Sequence, residues 1–194
     1  MSQTTMDADL RSIQQARDLA VGAREAMRSF QFASQQQVDK ICEAMVAAAV
    51  REAERLGQLA HDETGFGYAA HKRLKNEFAA QGVWDSIKDV PTCGVLRRDE
   101  VNKVVEIGWP VGVIVALTPS TNPTSTAIFK ILIGVKARNA VIVAPHPSAK
   151  NCTAEAVRVM AGAAEAAGLP KGMISCLTEL TIQGTNELMN HYAT

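Results

Sequence analysis

From residue 112 onward, short apolar runs alternate along the chain with longer segments of helical periodicity. GVIVAL (112–117) and AVIVA (140–144) are continuous apolar runs rich in β-branched residues, which is typical of parallel strands covered on both faces. MISCL (173–177) is a third run of this kind, and a further short helix is expected after it. Strands that alternate with helices predict an α/β fold with a doubly wound parallel sheet.

The segments between these runs carry the usual signals for the ends of helices. Pro123 suits a first helical position, and Asn139 is a plausible left-handed stop before the second strand. Gly168 and Pro170 are expected to end the helix that starts near Ala149. The pattern calls for another strand where the sequence stops, so we expect the sheet to be incomplete at its C-terminus.

Residues 1–90 predict a helical region ahead of the sheet. The apolar residues form three stripes that we expect to face inward, and those of the first stripe recur at intervals of three and four: Leu10, Ile13, Ala16, Ala20, Ala23, Met27 and Phe30; Val38, Ile41, Met45, Ala49, Ala53 and Leu56; and Ala70, Leu74, Phe78, Trp84 and Ile87. Ser34 and Gln37 form a capping-box pattern at the start of the second stripe, and Gly65 and Gly67 break the helix that carries it.

The spacing of apolar residues changes from helical to alternating near residue 91, which suggests that the chain has three sections. Residues 1–90 form the helical part, residues 91–110 a strand or hairpin arm, and residues 111–194 the βα units. Within the arm, Val101, Lys103, Val105 and Ile107 alternate with other residues, as in a half-exposed strand.

Composition excludes several classes of function. The 194 residues include 20 basic and 20 acidic side chains, so no net charge attracts nucleic acid or an anionic membrane. No apolar run is long enough to span a bilayer, and the first residues do not resemble a secretory signal. Four scattered cysteines without a CxxC pair favour free thiols in a reducing cytoplasm over disulfides or a metal site.

Two polar loops follow the first two predicted strands, TPSTNPT (118–124) and PHPSAK (145–150). Ligands of open parallel sheets bind beyond the carboxyl ends of the strands, so we expect both loops at one edge, each leading into a helix N-terminus that favours anionic groups. Asn122 has two interpretations. Its side chain caps the next helix, which is the commoner role, or its amide donates a hydrogen bond to a developing oxyanion.

Other polar residues also have two interpretations. His146 lies beside a bound nucleotide, or it is a loop histidine packed among prolines. His146 could also pair with Ser120 or Ser148 as in a hydrolase, but the sequence has no GxSxG elbow to support that pair. His61, Asp62, Glu63 and His71 lack metal-type spacing and are expected on a solvated helix surface. Cys42 and Cys152 fit core positions, whereas Cys93 lies in a loop.

Seven segments together resemble the acylating, coenzyme A-dependent aldehyde dehydrogenases, above all the aldehyde dehydrogenase part of bifunctional aldehyde–alcohol dehydrogenases and their single-function acetaldehyde relatives. The segments are QVDKI (37–41), ETGFG (63–67), TCGVL (92–96), PVGVI (110–114), TPSTNPTSTAIFK (118–130), RNAVIV (138–143) and APHPSAK (144–150). The resemblance implies a Rossmann-like sheet of aldehyde dehydrogenase type, which lacks the GxGxxG fingerprint that is also absent here.

The resemblance implies an NAD-dependent oxidation of a small aldehyde to acyl-coenzyme A, which is reversible and passes through a cysteine thiohemiacetal. Asn122 matches the asparagine that stabilises the oxyanion. The residues implied to bind NAD are Thr118, Pro119, Ser120, Thr121, Pro145, His146, Pro147 and Ser148. NAD is expected rather than NADP because no arginine follows PHPS, although Lys150 is close.

The four cysteines do not match the family's nucleophile, which is therefore expected beyond Thr194 in a catalytic domain; the 194 residues alone are expected to be inactive. A homo-oligomer is also implied. The alternative is a non-catalytic nucleotide-binding or assembly module, in which the helical first half and the strand near Val101–Ile107 contact a partner or a second copy.

Overall fold

The computed structural model describes residues 7–194; residues 1–6 of the first predicted section lie outside it. The core of the described chain is a three-stranded parallel sheet in the order β3-β4-β5. Its strands are β3 (Val113–Leu117), β4 (Ala140–Ala144) and β5 (Ile174–Cys176). All five residues of β4 are buried, as expected of a central parallel strand. The predicted α/β fold with a parallel sheet is confirmed.

Helices cover both faces of this sheet. The crossover helices α6 (Pro123–Lys136) and α7 (Lys150–Ala166) pack together on one face, as successive crossovers of the same hand require. On the other face, α1 (Ala8–Phe30) contacts all three strands and pairs with α8 (Ile182–Asn190). The α1–α8 contact is close because Gly184 lies directly against Ser12, where a Cβ atom would overlap the serine hydroxyl.

The helical region that precedes the sheet is confirmed. It continues with α2 (Gln35–Arg51), α3 (Ala53–Thr64), α4 (Ala69–Glu77), a π-helical turn (Phe78–Gly82) and α5 (Val83–Ile87). The capping box of Ser34 and Gln37 is present at the start of α2. The predicted second helix is divided at Glu52, but its stripe is buried throughout.

Four predictions from helical periodicity are wrong. Leu10, Leu74 and Phe78 were expected to face inward, but their exposed fractions are 56%, 53% and 71%, and Ala70 is exposed as well. Phe78 shares a helix face with Leu74 and begins the π-helical turn, which inserts an extra residue and rotates the residues after it relative to a regular helix. Trp84, which follows the turn, is buried.

The predicted left-handed stop before β4 is also misplaced by one residue. Arg138, not Asn139, has the positive φ of 62°. The guanidinium of Arg138 donates to the carbonyl oxygens of Gln31 and Gly108, which stabilises this conformation of a non-glycine residue. Asn139 instead accepts the backbone N–H of Gly112 through its side-chain oxygen.

A separate two-stranded antiparallel hairpin connects the helical region to the sheet. It is formed by β1 (Gly94–Asp99) and β2 (Val104–Gly108), with a bulge between Val95 and Arg97. The strand predicted from alternation at Val101 begins three residues later, because Lys103 has a positive φ of 57° in the turn.

Among residues 7–194, none of the helices combines the length and the apolar character that crossing a membrane requires. The four cysteines are free thiols in this part of the chain. Localisation in the cytoplasm stays a prediction.

Candidate functional site

The two polar loops meet at the carboxyl edge of the sheet. The N–H of Thr118 donates to the carbonyl oxygen of Ala144 at 3.1 Å, and the N–H of His146 donates to that of Thr118 at 3.1 Å. These two hydrogen bonds continue the parallel ladder of β3 and β4 beyond the ends of both strands. The structure thus places residues 118–121 beside residues 145–148.

Thr118 offers an unused polar atom at this edge. The residue is buried, and its hydroxyl oxygen has no hydrogen-bond partner among the described residues. A buried hydroxyl without a partner carries a free-energy cost that a bound ligand can remove. Ser120 is half-buried and Thr121 is exposed, so hydroxyl groups follow one another from the interior outward.

A cleft of about 320 Å³ opens beside the second loop, between Pro145 and Pro147 on one side and the start of α8 on the other. Leu180, Thr181 and Ile182 form the opposite wall. Flat apolar walls that flank hydroxyl groups fit the base and ribose of a nucleotide. The residues present therefore fit one half of a dinucleotide.

His146 is exposed and not packed among the prolines, so that interpretation is wrong. Its Nδ1 atom accepts the backbone N–H of Ser148 at 3.2 Å and lies 2.8 Å from the Ser148 hydroxyl. A ring nitrogen that accepts a backbone N–H carries no proton, which leaves the ring proton on Nε2. The imidazole thus caps the short 3₁₀ turn Pro147–Ala149 through its Nδ1 atom. Its Nε2–H group takes no part in this cap.

The N-terminus of α7 is not an open anion site, contrary to the sequence expectation. The carboxylate of Glu63 accepts the N–H groups of Asn151 at 2.8 Å and Cys152 at 2.6 Å. Partial burial alone would raise the pKa of the Glu63 carboxyl, but these N–H donors hold it below its usual value. Glu63 was expected on a solvated surface; instead it joins α3 to α7.

Asn122 lies at the other loop, immediately before α6. Its carbonyl oxygen accepts the N–H of Thr126 at 3.1 Å, which is the first bond of the helix. Its side chain makes no capping hydrogen bond to the described chain. The interpretation of Asn122 as a side-chain cap is therefore wrong, and the N–H groups of Thr124 and Ser125 keep the positive end of the helix open.

The carboxamide of Asn122 is held by α4. The ammonium of Lys75 donates to Oδ1 of Asn122 at 2.8 Å. Because an ammonium only donates, the oxygen end of the amide must face Lys75 and the NH₂ end must face away from it. The nearest acceptor of that NH₂ group is the Thr121 hydroxyl, at a long 3.5 Å.

Two neighbours of Lys75 on α4 hold the same turn. The Lys72 ammonium donates to the carbonyl oxygen of Thr121 at 3.0 Å, and the Thr124 hydroxyl donates to the Asn76 side chain at 2.8 Å. Burial lowers the pKa of the Lys72 ammonium from its usual value, and the nearby charge of Lys75 lowers it further. One polar face of α4 thus fixes residues 121–124.

Sequence reasoning missed this face of α4. The spacing of Lys72, Lys75 and Asn76 places them together on a helix, but a polar helix face normally points to solvent. Only the fold reveals that α4 lies against the start of α6.

Asn122 lines a cleft of about 560 Å³. Its walls are mainly apolar and come from α4, the π-helical turn, α5 and the first two turns of α6. Leu74, Phe78 and Phe129 are among its apolar residues, and Asn122 and Lys75 are among those that provide polar groups. A small organic molecule bound there would have a carboxamide NH₂ group and an ammonium charge beside it.

The cysteines do not join this site. Burial raises the pKa of the Cys42, Cys152 and Cys176 thiols to about 12, so they are protonated at neutral pH. Cys93 follows Thr92, whose hydroxyl donates to the carbonyl oxygen of Lys136 at the C-terminal end of α6. Asn122 precedes the N-terminal end of that 14-residue helix, which is about 20 Å long.

The chain is similar to known proteins over most of its length. A family model described as the aldehyde dehydrogenase family matches residues 2–194. The bifunctional aldehyde-alcohol dehydrogenase of Escherichia coli (strain K12) is 42% identical over 168 residues, which are 87% of this chain and 19% of that protein. This chain thus spans about a fifth of the length of that curated relative.

Two solved structures superpose closely on the chain. An acetylating aldehyde dehydrogenase from Geobacillus thermoglucosidasius has a TM-score of 0.96 and 55% identity, over 98% of this chain and 42% of that one. A probable aldehyde dehydrogenase from Listeria monocytogenes EGD-e has a TM-score of 0.96 and 48% identity, over 97% of this chain and 42% of that one.

Proposed function

The chain belongs to the aldehyde dehydrogenase family, and from this premise we propose that it is the cofactor-binding part of an NAD-dependent, coenzyme A-acylating aldehyde dehydrogenase. The observation that carries the proposal is the Asn122 carboxamide, which turns its NH₂ end away from Lys75 at the wall of an apolar cleft. The similar protein of Geobacillus thermoglucosidasius is described as acetylating, which supports the acylating class.

In the proposed reaction, a cysteine thiolate adds to the carbonyl carbon of a small aldehyde, and the carbonyl oxygen becomes an oxyanion. The NH₂ group of Asn122 donates to that oxygen and stabilises its charge. Loss of a hydride from the same carbon then gives a thioester. The coenzyme A thiolate takes the acyl group and releases the cysteine, and the same steps run in reverse for acyl-coenzyme A reduction.

The nucleophile is proposed to lie in a catalytic domain outside the 194 residues. Three cysteines, Cys42, Cys152 and Cys176, are thiols that are protonated at neutral pH, and Cys93 is next to the opposite end of α6 from Asn122. We accordingly propose that the 194-residue chain alone is inactive, and that it divides into a helical part (1–90), a hairpin arm (91–110) and the βα units (111–194).

NAD supplies the hydride acceptor when bound. The residues proposed to hold it are Thr118, Pro119, Ser120, Thr121, Pro145, His146, Pro147 and Ser148. The unpaired Thr118 hydroxyl and the cleft at Pro145 and Pro147 support this assignment. The exposed Nε2–H of His146 is available as a donor to a hydroxyl or phosphate oxygen of the adenosine half.

The replacement of Asn122 by alanine in the full-length protein tests the proposal. We expect the rate of NADH formation in a single turnover to fall by about 10²- to 10³-fold, the usual effect of losing one oxyanion donor. The dissociation constant for NAD, measured by fluorescence titration, should stay within about twofold, because Asn122 is not among the residues proposed to hold NAD.

Thr126→Ala is the matched control, since Thr126 lines the same cleft at the next turn of α6. It should leave the single-turnover rate nearly unchanged. An Asn122→Ala protein with the wild-type rate would remove Asn122 from the mechanism. NADH formation by the 194-residue chain with coenzyme A would contradict the proposal that the nucleophilic cysteine lies outside these residues.

A second candidate is a non-catalytic nucleotide-binding or assembly module. The hairpin favours it, because Val95, Val105 and Ile107 are about half exposed on one face and Val101 is 90% exposed in the turn. The same surface supports a homo-oligomer of the full-length enzyme, which we propose together with the catalytic function.

A further inference from the structure

We propose that Lys75 is a positioning residue of this site: its ammonium keeps the Asn122 carboxamide directed at the reacting oxygen by preventing it from capping α6. The inference rests on the proposed function, and it concerns a residue that is not among those proposed to hold NAD.

Asn122 occupies a position at which an asparagine side chain ordinarily bonds to its own helix. Its carbonyl oxygen already accepts the N–H of Thr126, and the N–H groups of Thr124 and Ser125 are within the first turn. An asparagine at the N-cap normally places Oδ1 on one of these N–H groups. Such a bond would turn the amide toward the helix and out of the cleft.

Lys75 provides the competing partner. The 2.8 Å hydrogen bond from its ammonium to Oδ1 is charge-assisted, and such bonds are about twice as strong as neutral ones. With Oδ1 fixed, the planar amide has its NH₂ group on the opposite side, and the positive charge next to Oδ1 polarises the amide and strengthens the N–H donors. One contact therefore both orients and strengthens the oxyanion donor.

The other contacts of α4 separate this role from a purely structural one. Lys72 holds the backbone oxygen of Thr121, and Asn76 holds the hydroxyl of Thr124 and the carbonyl oxygen of Ala53. These two side chains are buried and anchor the turn without Lys75. Lys75 is exposed and binds only the Asn122 side chain among the contacts between α4 and residues 121–124. Its removal should leave the turn in place and release the amide alone.

The test uses the full-length protein and the variants Lys75→Met, Lys75→Arg, Asn122→Ala and Lys75→Met/Asn122→Ala. We expect Lys75→Met to lower the single-turnover rate of NADH formation about tenfold, with the dissociation constant for NAD unchanged. Lys75→Arg, which can still donate to Oδ1, should keep most of the rate.

The double variant is decisive because it asks whether Lys75 acts through Asn122. In the Asn122→Ala background, Lys75→Met should change the rate by less than about twofold. Equal fold-changes in both backgrounds would overturn the inference. The matched control is Arg73→Met, which removes a positive charge from an exposed position of α4 and should leave the rate unchanged.

The midpoint of thermal unfolding distinguishes a positioning role of Lys75 from a structural one, because the two roles predict different changes in Lys75→Met. If the released amide caps α6, the unfolding midpoint of Lys75→Met should be unchanged or higher while its rate falls. A lower midpoint together with a lower rate would assign Lys75 a structural role. Should Lys75→Met fail to fold, Lys75→Ala, which also removes the donor, replaces it in the same cycle.

The outcomes for the two proposals are separable. A wild-type rate for Asn122→Ala overturns the proposed function. A reduced rate for Asn122→Ala with a wild-type rate for Lys75→Met overturns only the role of Lys75.

Discussion

The carboxamide of Asn122 has two partners within reach at the start of α6, and each would give the residue a different role. The helix N–H groups would make it a cap, whereas the Lys75 ammonium holds its Oδ1 atom away from them, and we propose that its NH₂ group then serves as the oxyanion donor. The sequence contains both possibilities, because an asparagine before Pro123 suits a helix start. The contact with α4, 47 residues earlier in the chain, selects between them.

A second lysine, Lys136, allows a test of how much a buried ion pair contributes to the stability of the fold. The side chain of Lys136 is 3% exposed, and its ammonium lies 2.6 Å from a carboxylate oxygen of Asp39 and 3.0 Å from the carbonyl oxygen of Lys88. Asp39→Ala would leave a buried charge with one neutral acceptor. We expect a loss of about 3 kcal/mol in the free energy of unfolding by urea.

The matched control for this change is Asp85→Ala. Asp85 forms an ion pair of 3.2 Å with Lys88, but both side chains are about half exposed. Exposed pairs contribute little, so the urea midpoint should barely move. Equal midpoints for the two variants would mean that the Lys136 charge is not stabilised by Asp39.

At the scale of elements, the position of α4 determines the geometry of the cleft. α4 lies unusually close to α3 because Gly57 has no side chain: a Cβ atom there would be 2.8 Å from the backbone nitrogen of Arg73. A backbone atom cannot rotate away, so Gly57→Ala must shift α4. We expect a loss of about 1 to 3 kcal/mol in unfolding free energy and a lower single-turnover rate.

Gly22→Ala in α1 is the control for the Gly57 variant. A Cβ atom at Gly22 meets open space, and alanine is the better helix former by about 1 kcal/mol. Gly22→Ala should therefore leave the rate unchanged and the stability equal or higher. A Gly57→Ala protein with wild-type rate and stability would contradict the tight contact between α3 and α4.

The π-helical turn is the element that periodicity could not predict. Leu74 and Phe78 are four residues apart and share one helix face, whereas Trp84 follows the π-helical turn at Phe78–Gly82. Trp84 enters the core, while Leu74 and Phe78 line the cleft with Asn122. Part of the predicted core face is thus a wall of the candidate site.

At the scale of the whole molecule, the hairpin of β1 and β2 is the largest departure from a self-contained fold. Within the described part of the chain it pairs with no other strand, and a two-stranded sheet is marginally stable alone. Its unpaired edges and exposed apolar residues predict a contact with another surface. We propose that a second copy of the chain provides that surface.

Val105→Lys in the full-length protein tests this contact. A charge on the apolar face should disfavour association and lower the mass measured by light scattering after size-exclusion chromatography. Glu106→Lys, on the opposite face of the same strand, is the control and should keep the wild-type mass. An unchanged mass with a lower melting temperature for Val105→Lys would instead place later parts of the same chain on the hairpin.

The sequence by itself determined the order of elements and the family. Continuous apolar runs predicted β3, β4 and β5, proline and glycine marked helix ends, and specific segments such as TPSTNPTSTAIFK carried the resemblance. These signals are local, because strand burial, capping and turn chemistry depend on neighbours within a few residues.

Only the tertiary structure decided which polar groups meet. Lys75 with Asn122, Lys72 with Thr121, and Glu63 with the start of α7 are separated by 47, 49 and at least 88 residues. No periodicity encodes such pairs, since each depends on how two helices pack. The sequence thus placed Asn122 at the end of a strand, and the packing of α4 against α6 determined the direction of its amide.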